Sequence, residues 1–382
     1  MKQGCITITS IFMSGLLTAC GGGGGGSDPD PVIQPGPDTQ YTGLTTDASI
    51  TPESASAFIE LLLSESDIDN PLDALSSPSA NAKATFNEPM PCEMGSGIMS
   101  GTLDDETYVG TIKVVFEQCY SDDIAMNGEM EMKIETVDQF NIEPVDYTLT
   151  FNPLMVTDSD GESVVMSGST VVRGDGTCDS SETQNLVLNS SVAGESYFFD
   201  NLRISERCDY SMALPYETVR QELSGDIYLA DRGKITLASS DVIMALDVYG
   251  FDAPGGAMDL LASGEVTISN STGALSFTGL FGDETLPDPT VFYVQVKLDQ
   301  GLDGQSEVDA IVPAWWLNVP GMMDMEDSDG DGMWRGWELA HGLDPTVADG
   351  ELDSDNDGFT NLQEFVAHTH PMNQSDFPAE EE

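Results

Sequence analysis

Residues 127–135 read Asn-Gly-Glu-Met-Glu-Met-Lys-Ile-Glu, and their order decides the fold. Met130, Met132 and Ile134 alternate with Glu129, Glu131, Lys133 and Glu135. A period of two sends the apolar side chains to one face of a strand and the charges to the other. Ile112, Val114 and Phe116 keep the same rhythm, as do Phe292, Val294, Val296 and Leu298 against Tyr293, Gln295, Lys297 and Asp299. Clusters of Gly, Asn, Asp and Ser punctuate these runs. One buried face and one wet, acidic face is the signature of antiparallel sheet. Residues 85–310 are therefore expected to be mainly β, an antiparallel sandwich-like region forming one long sandwich or two related ones.

Outward from that strand the chain repeats itself. Asn127-Gly128 corresponds to Ser224-Gly225, 97 positions on, and Ser167-Gly168 to Ser263-Gly264, 96 positions on. Cys92 and Cys178 lie 86 positions apart, Cys119 and Cys208 lie 89 apart. Two related units follow, about 92–173 and 178–269, with closing strands to 310. Within each unit the cysteines are 27 and 30 positions apart, which favours the disulfides Cys92–Cys119 and Cys178–Cys208 over crossed pairings. No Cys-x-x-Cys is present, so these cysteines read as structural staples. Residues 91–119, with Met126-Asn127-Gly128, resemble a repeat in lipoproteins of marine gammaproteobacteria; that resemblance implies no activity.

Toward the N-terminus, Thr51-Pro52-Glu53 has the form of a helix start, with an N-cap, a proline at the first position and an early acid. Ala55, Phe58, Ile59, Leu62 and Leu63 then fall on one helical face, so 41–84 is a helical lead-in. Lys2 and the apolar stretch Ile6 to Ala19 form a short signal segment, too short to span a bilayer. It ends in Leu17-Thr18-Ala19-Cys20-Gly21, which resembles the bacterial lipobox. The resemblance implies that residues 1–19 are removed, that Cys20 is lipidated and anchors the chain to the membrane, and that the protein is sorted to the outer membrane. It leaves the leaflet, periplasmic or cell-surface, open. Residues 20–40, rich in Gly, Pro and Asp, read as a solvated tether.

The chemistry lies at the other end. Residues 327–338 place Asp327, Asp329 and Asp331 at positions 1, 3 and 5 of a twelve-residue loop, Gly332 at 6, the Met333 carbonyl at 7 and Glu338 at 12. Residues 353–364 repeat the pattern 26 positions on, with Asp353, Asp355, Asp357, Gly358, the Phe359 carbonyl, Asn361 at position 9 and Glu364. Alternate residues of a curled loop point inward, the glycine permits the sharp turn, and six to eight oxygens at ~2.3–2.6 Å suit Ca²⁺. Two Ca²⁺ sites are expected, of extracellular-type affinity, roughly 10⁻⁴ to 10⁻³ M. Trp337 to Pro345 and Asn361 to Phe365, with these loops, resemble the thrombospondin type 3-like and EF-hand-like calcium repeats of bacterial surface proteins. The module covers 326–372, after a linker at 311–325 and before an acidic tail at 373–382.

Departures from that pattern are visible. Arg335 stands at position 9 of the first loop, which predicts a weaker first site. His368 and His370 precede Pro371 and, with His341, form either a transition-metal set or ordinary surface substitutions, the second being favoured. Trp315-Trp316 joins the two regions: exposed, the pair would stack on sugar rings or a partner; buried, it would clamp the domains together.

A net charge of −55, from 67 acids against 12 Lys and Arg, argues against nucleic acid as a partner, because such a surface repels phosphates. No Gly-x-Ser-x-Gly, His-Glu-x-x-His or phosphate-binding glycine loop occurs, and the three histidines all follow residue 340. The expectation is a non-catalytic, calcium-binding outer-membrane lipoprotein with a binding, adhesive or envelope-structural role toward an unspecified protein or glycan. The rival expectation is an extracellular glycan-binding or glycan-degrading protein, which requires aromatics exposed in a groove.

Overall fold

The computed structural model describes residues 41–63 and 85–378, apart from 105, 122–123, 139–142, 159–160, 175–178, 192–195, 210–215, 249–257, 287–289 and 320. The signal segment, Cys20, the tether, residues 64–84, Cys178 and the end of the acidic tail lie outside these residues. A helix, α1 (Pro52–Leu63), leads into fourteen strands. These are β1 (Thr85–Met90), β2 (Met94–Leu103), β3 (Gly110–Ser121), β4 (Ile124–Asp138), β5 (Glu143–Thr157), β6 (Ser163–Gly174) and β7 (Ser180–Ser190). There follow β8 (Tyr197–Cys208), β9 (Thr218–Leu229), β10 (Gly233–Val248), β11 (Met258–Ser269), β12 (Gly273–Leu280), β13 (Tyr293–Gln300) and β14 (Val308–Pro313). A 3₁₀ helix (Ala314–Asn318), α2 (Arg335–His341) and α3 (Asn361–Ala367) close the chain.

The class is the expected one, mainly β and antiparallel, with a small helical region at the C-terminus. All fourteen strands belong to one sheet, each hydrogen-bonded to its sequence neighbours. The two related segments are thus consecutive stretches of a single meander, β2–β6 and then β7–β11, with β6 paired to β7 across the join. The sheet also runs further than 310: β14 and the 3₁₀ helix occupy most of what reads as linker in the sequence.

A flat sheet of fourteen strands would be about 65 Å wide at ~4.8 Å per strand. A helix of 12 residues, α1, cannot cover such a face. Yet most of the apolar side chains buried along β2 to β14 belong to one cluster, which fits a sheet that curls on itself, as strongly twisted sheets of this width do. The curl has local causes. Glu117 and Gln118 of β3 together oppose Asn127, and Asn152 and Pro153 of β5 oppose Ser167. Asn201 and Leu202 of β8 oppose Gly225, and Asp241 and Val242 of β10 oppose Gly264. Two residues against one is a β-bulge, which bends and twists its strand. Each bulge faces one of the four Asn-Gly or Ser-Gly pairs that mark the repeat. The repeat is a repeat of kinks.

Gly168 and Gly264 show why those positions carry glycine. Gly168 has φ 117° and a Cβ there would sit 2.1 Å from the Asn185 carbonyl oxygen; at Gly264, with φ 83°, it would sit 2.3 Å from that of Asp241. Backbone atoms cannot give way as a flexible side chain would.

The alternation of β4 is seen at Met130 and Ile134, which are buried, against Lys133 and Glu135, which are exposed; Met132 is only half-buried, as Glu129 and Glu131 are. The central strands break it. Through β6 and β7 side chains are buried on both faces, including Ser167, Ser169, Thr170, Thr183 and Gln184. Glu206 of β8, 4% exposed, accepts a hydrogen bond from Gln221 Nε2 at 2.8 Å. Glu182 accepts one from Gln184 Nε2 at 2.7 Å. Burial pushes both carboxyls upward.

The Cys92–Cys119 disulfide is present, across the start of β2 and the end of β3. Closing a loop of that length stabilises by about 3–4 kcal/mol in the chain-entropy picture. Cys208 is also disulfide-bonded; its expected partner, Cys178, is not among the described residues.

The lead-in is latched to the sheet before its helix starts. Ala48 N–H donates to the Lys234 carbonyl, and Asn270 Nδ2 and Thr272 Oγ1 donate to the Ala48 carbonyl. Thr51 N–H is capped by Ser54 Oγ at 2.9 Å, and Pro52 is the first helical residue, as the sequence predicts. Ala55, Phe58 and Ile59 are buried in the core; the side chains of Leu62 and Leu63 are outside the described ones.

Candidate metal centre

After the 3₁₀ helix, Met322, Met323 and Met325 are buried and the chain enters the first acidic loop. Asp327 Oδ1 accepts the N–H groups of Gly330 and Asp331, and its Oδ2 that of Gly332. Asp329 Oδ1 accepts from Asp331 N–H, and Asp331 Oδ1 from Met333 N–H. The second loop repeats these contacts. Asp353 accepts from Asp357 and Gly358 N–H, Asp355 from Asp357 N–H, and Asp357 from Phe359 N–H at 2.8 Å. Asp327, Asp353 and Asp331 thus shape the loops with both oxygens, whereas Asp329, Asp355 and Asp357 use one oxygen and keep the other free of such bonds.

Those oxygens have no partner. Asp329 Oδ2, Asp355 Oδ2 and Asp357 Oδ2 are buried without a hydrogen bond, as are both oxygens of Glu338, Oε2 of Glu364 and Oδ1 of Asn361. Glu338, Glu364 and Asn361 are each 0% exposed. A buried, unpaired carboxylate costs several kcal/mol, and such oxygens belong to position 3 of both loops (Asp329, Asp355), to position 5 of the second (Asp357) and to position 12 of both (Glu338, Glu364). Asp327, Asp329 and Asp331 present carboxylate oxygens within 4.8 Å of one another, as do Asp353, Asp355 and Asp357. These clusters can hold a metal ion. The donor set is all oxygen, which suits a hard cation.

Both position-12 glutamates lie in helices that the sequence caps. Glu338 is in α2, closed by Gly342 in the left-handed region. Glu364 is in α3, whose Thr360 and Gln363 form a reciprocal capping box. Glu338 is pushed up to about 8, first by burial and then by Asp331, Asp329, Asp349 and Asp327. Glu364 is pushed up to about 7 by burial and by Asp355, Asp357 and Asp353. The folded, metal-free module therefore holds protons that an unfolded chain, with carboxyls near 4.5, releases. The contribution of these two carboxyls to stability is fully present below about pH 4.5 and is lost as pH rises toward 8, while His368, lowered to about 4 by burial, works the other way below about pH 6.5, one group against two. In chelator, the melting temperature of this region, followed by tryptophan fluorescence, is expected to rise as pH falls from 8 to 5. A flat or opposite profile would contradict the raised carboxyls.

Position 9 differs between the loops. Arg335 turns away from the first loop toward Asp324 and Glu326, at 3.4 and 3.5 Å. Asn361 reaches back toward the first loop: its Nδ2 donates to the carbonyl and to Oδ1 of Asp349, at 3.0 and 3.2 Å. Asp349 is a residue that sequence reasoning missed. It joins Asp331 and Glu338 in a third cluster of oxygens within 4.8 Å, and it lies outside both twelve-residue patterns, so no spacing signals it.

The module is seated on the sheet through aromatic rings. Trp316, 2% exposed, meets Trp334 at 6.4 Å, Phe365 at 6.4 Å and His368 at 5.3 Å. Trp337 meets Phe365 at 5.1 Å. Trp316 is thus buried as a clamp, while Trp315 is only partly covered. Among the described residues no Trp or Tyr is fully exposed. His368 packs between Trp316 and Tyr293 of β13, and burial lowers it to about 4. His341 and His370 face each other at 4.8 Å, and His341 Nδ1 is bonded to the Trp337 carbonyl. The three histidines do not form one of the clusters able to hold a metal ion among the described residues.

No helix among the described residues is long and apolar enough to cross a membrane. Comparison with protein families, with curated proteins and with solved structures finds no match to this chain.

Proposed function

We propose that residues 326–372 are a two-site Ca²⁺ module that stiffens the C-terminal end of a lipid-anchored outer-membrane protein whose role is binding, adhesive or envelope-structural. One observation carries the calcium reading: the fully buried glutamates at position 12 of both loops, with carboxylate oxygens that no group of the protein satisfies. A divalent cation at each centre supplies the missing charge. Asp327, Asp329, Asp331 and Glu338 hold one ion; Asp353, Asp355, Asp357, Glu364 and the position-9 Asn361 hold the other, with the Met333 and Phe359 carbonyls completing the loops. The module's rings lie against the sheet, so ion binding bears on the β region as well. The anchor rests on the lipobox resemblance at Cys20.

Titrating the metal-free protein with Ca²⁺ is expected to show two ions per chain, with a gain of helix and a shift of tryptophan emission, and a weaker response to Mg²⁺. No change at 10 mM Ca²⁺, about tenfold above the weakest extracellular-type affinity, would overturn the calcium reading. Fatty-acid labelling retained in a Cys20→Ala variant would overturn the anchor, and protease shaving of intact cells separates the cell surface from the periplasm.

A further inference from the structure

Asp349 lies outside the twelve-residue loops, yet the fold delivers it to the first of them. We infer that Asp349 is a ligand of the first Ca²⁺ site, supplying the oxygen that Arg335 does not. This rests on the calcium reading above and deepens it.

Asp331, Glu338 and Asp349 present oxygens within 4.8 Å of one another. Glu338 is 0% exposed and neither of its oxygens has a partner, so the cluster is not compensated from within the protein. Asp349 is held there from both sides. Its N–H and that of Gly350 donate to Asp331 Oδ2, at 2.9 and 2.7 Å. Asn361 Nδ2 holds its carbonyl and carboxylate from the other side. Like-charged carboxylates so close repel strongly in a poorly solvated site unless a cation lies among them. Arg335, the nearby cation, is drawn off to Asp324 and Glu326.

Two consequences follow. With Asp349 the first site counts five carboxylates, Asp327, Asp329, Asp331, Glu338 and Asp349, against four at the second. Affinity in such loops rises with ligand charge, so the first site becomes the tighter one, reversing the expectation from Arg335. Asn361 is the first residue of α3, which carries Glu364. The ion in the first loop therefore steadies the helix that closes the second.

The test is Asp349→Ala in the full-length protein, titrated with Ca²⁺ by calorimetry, with Eu³⁺ luminescence lifetimes to count metal-bound water. The substitution keeps the backbone N–H that bonds Asp331, so the loop's own contacts survive. The tighter of two sites is expected to weaken about tenfold or more, and one extra water is expected on one of the two Eu³⁺ ions. Asp349→Asn, which still accepts from Asn361, controls for misfolding and is expected to lose less. Wild-type protein with two ions and an Asp349→Ala variant with unchanged affinity and hydration would overturn the assignment alone. Wild-type protein that takes up no Ca²⁺ would overturn the calcium reading, and the ligand with it.

Discussion

Replacing Gly168 by valine is expected to destabilise the sheet by about 3 kcal/mol or more, enough to remove a large part of a typical domain's stability. The residue adopts φ 117°, a region that β-branched side chains rarely enter, and a Cβ would approach the Asn185 carbonyl oxygen to 2.1 Å. Relief would require β6 and β7 to part, and both faces of these strands are buried there. Gly282→Val is the control. It too has a positive φ, 82°, but nothing lies within 4 Å of its would-be Cβ, so strain alone remains, about 1 kcal/mol. Denaturant unfolding of the two variants should separate them by about 2 kcal/mol. Equal losses would mean that the close approach at the kink is not what requires the glycine.

Trp316→Ala is expected to cost about 3–5 kcal/mol, the usual range for truncating a buried large aromatic side chain. It should also change how the protein melts. The indole is the piece of the β region's C-terminal extension that meets Trp334, Phe365 and His368 of the module. With it gone, calorimetry in saturating Ca²⁺ should resolve two transitions where the wild type shows one coupled unfolding, and only one of the two should move with Ca²⁺ concentration. A single transition with an unchanged midpoint would show that the clamp is elsewhere. The same result bears on function, since a module that stiffens the sheet must be mechanically joined to it.

Much of this was legible residue by residue. Alternation at Met130 and Ile134 marked a half-buried strand, because a strand's side chains alternate whatever it pairs with. Thr51-Pro52 marked a helix start, because capping involves only the first turn. The paired Asp-x-Asp-x-Asp-Gly runs marked two acidic loops, because their turns are built from contacts between residues no more than five apart. Burial on both faces of β6 and β7 was not legible: it depends on what the curled sheet brings against each face. Nor was the seating of His368 beside Tyr293, which comes from a strand 75 positions earlier.

The sequence by itself therefore determined the periodic strands, the α1 cap, the repeat of Asn-Gly and Ser-Gly pairs, the Cys92–Cys119 pairing and the two acidic loops. All of these rest on local spacing or on the distance between like residues along the chain. Tertiary structure alone decided that the repeated segments share one sheet, that each Gly-containing pair faces a bulge, that Arg335 leaves the first loop and that Asp349 enters it. Such features depend on which distant backbone groups are brought within hydrogen-bonding distance, about 3 Å, and no short-range pattern encodes that choice.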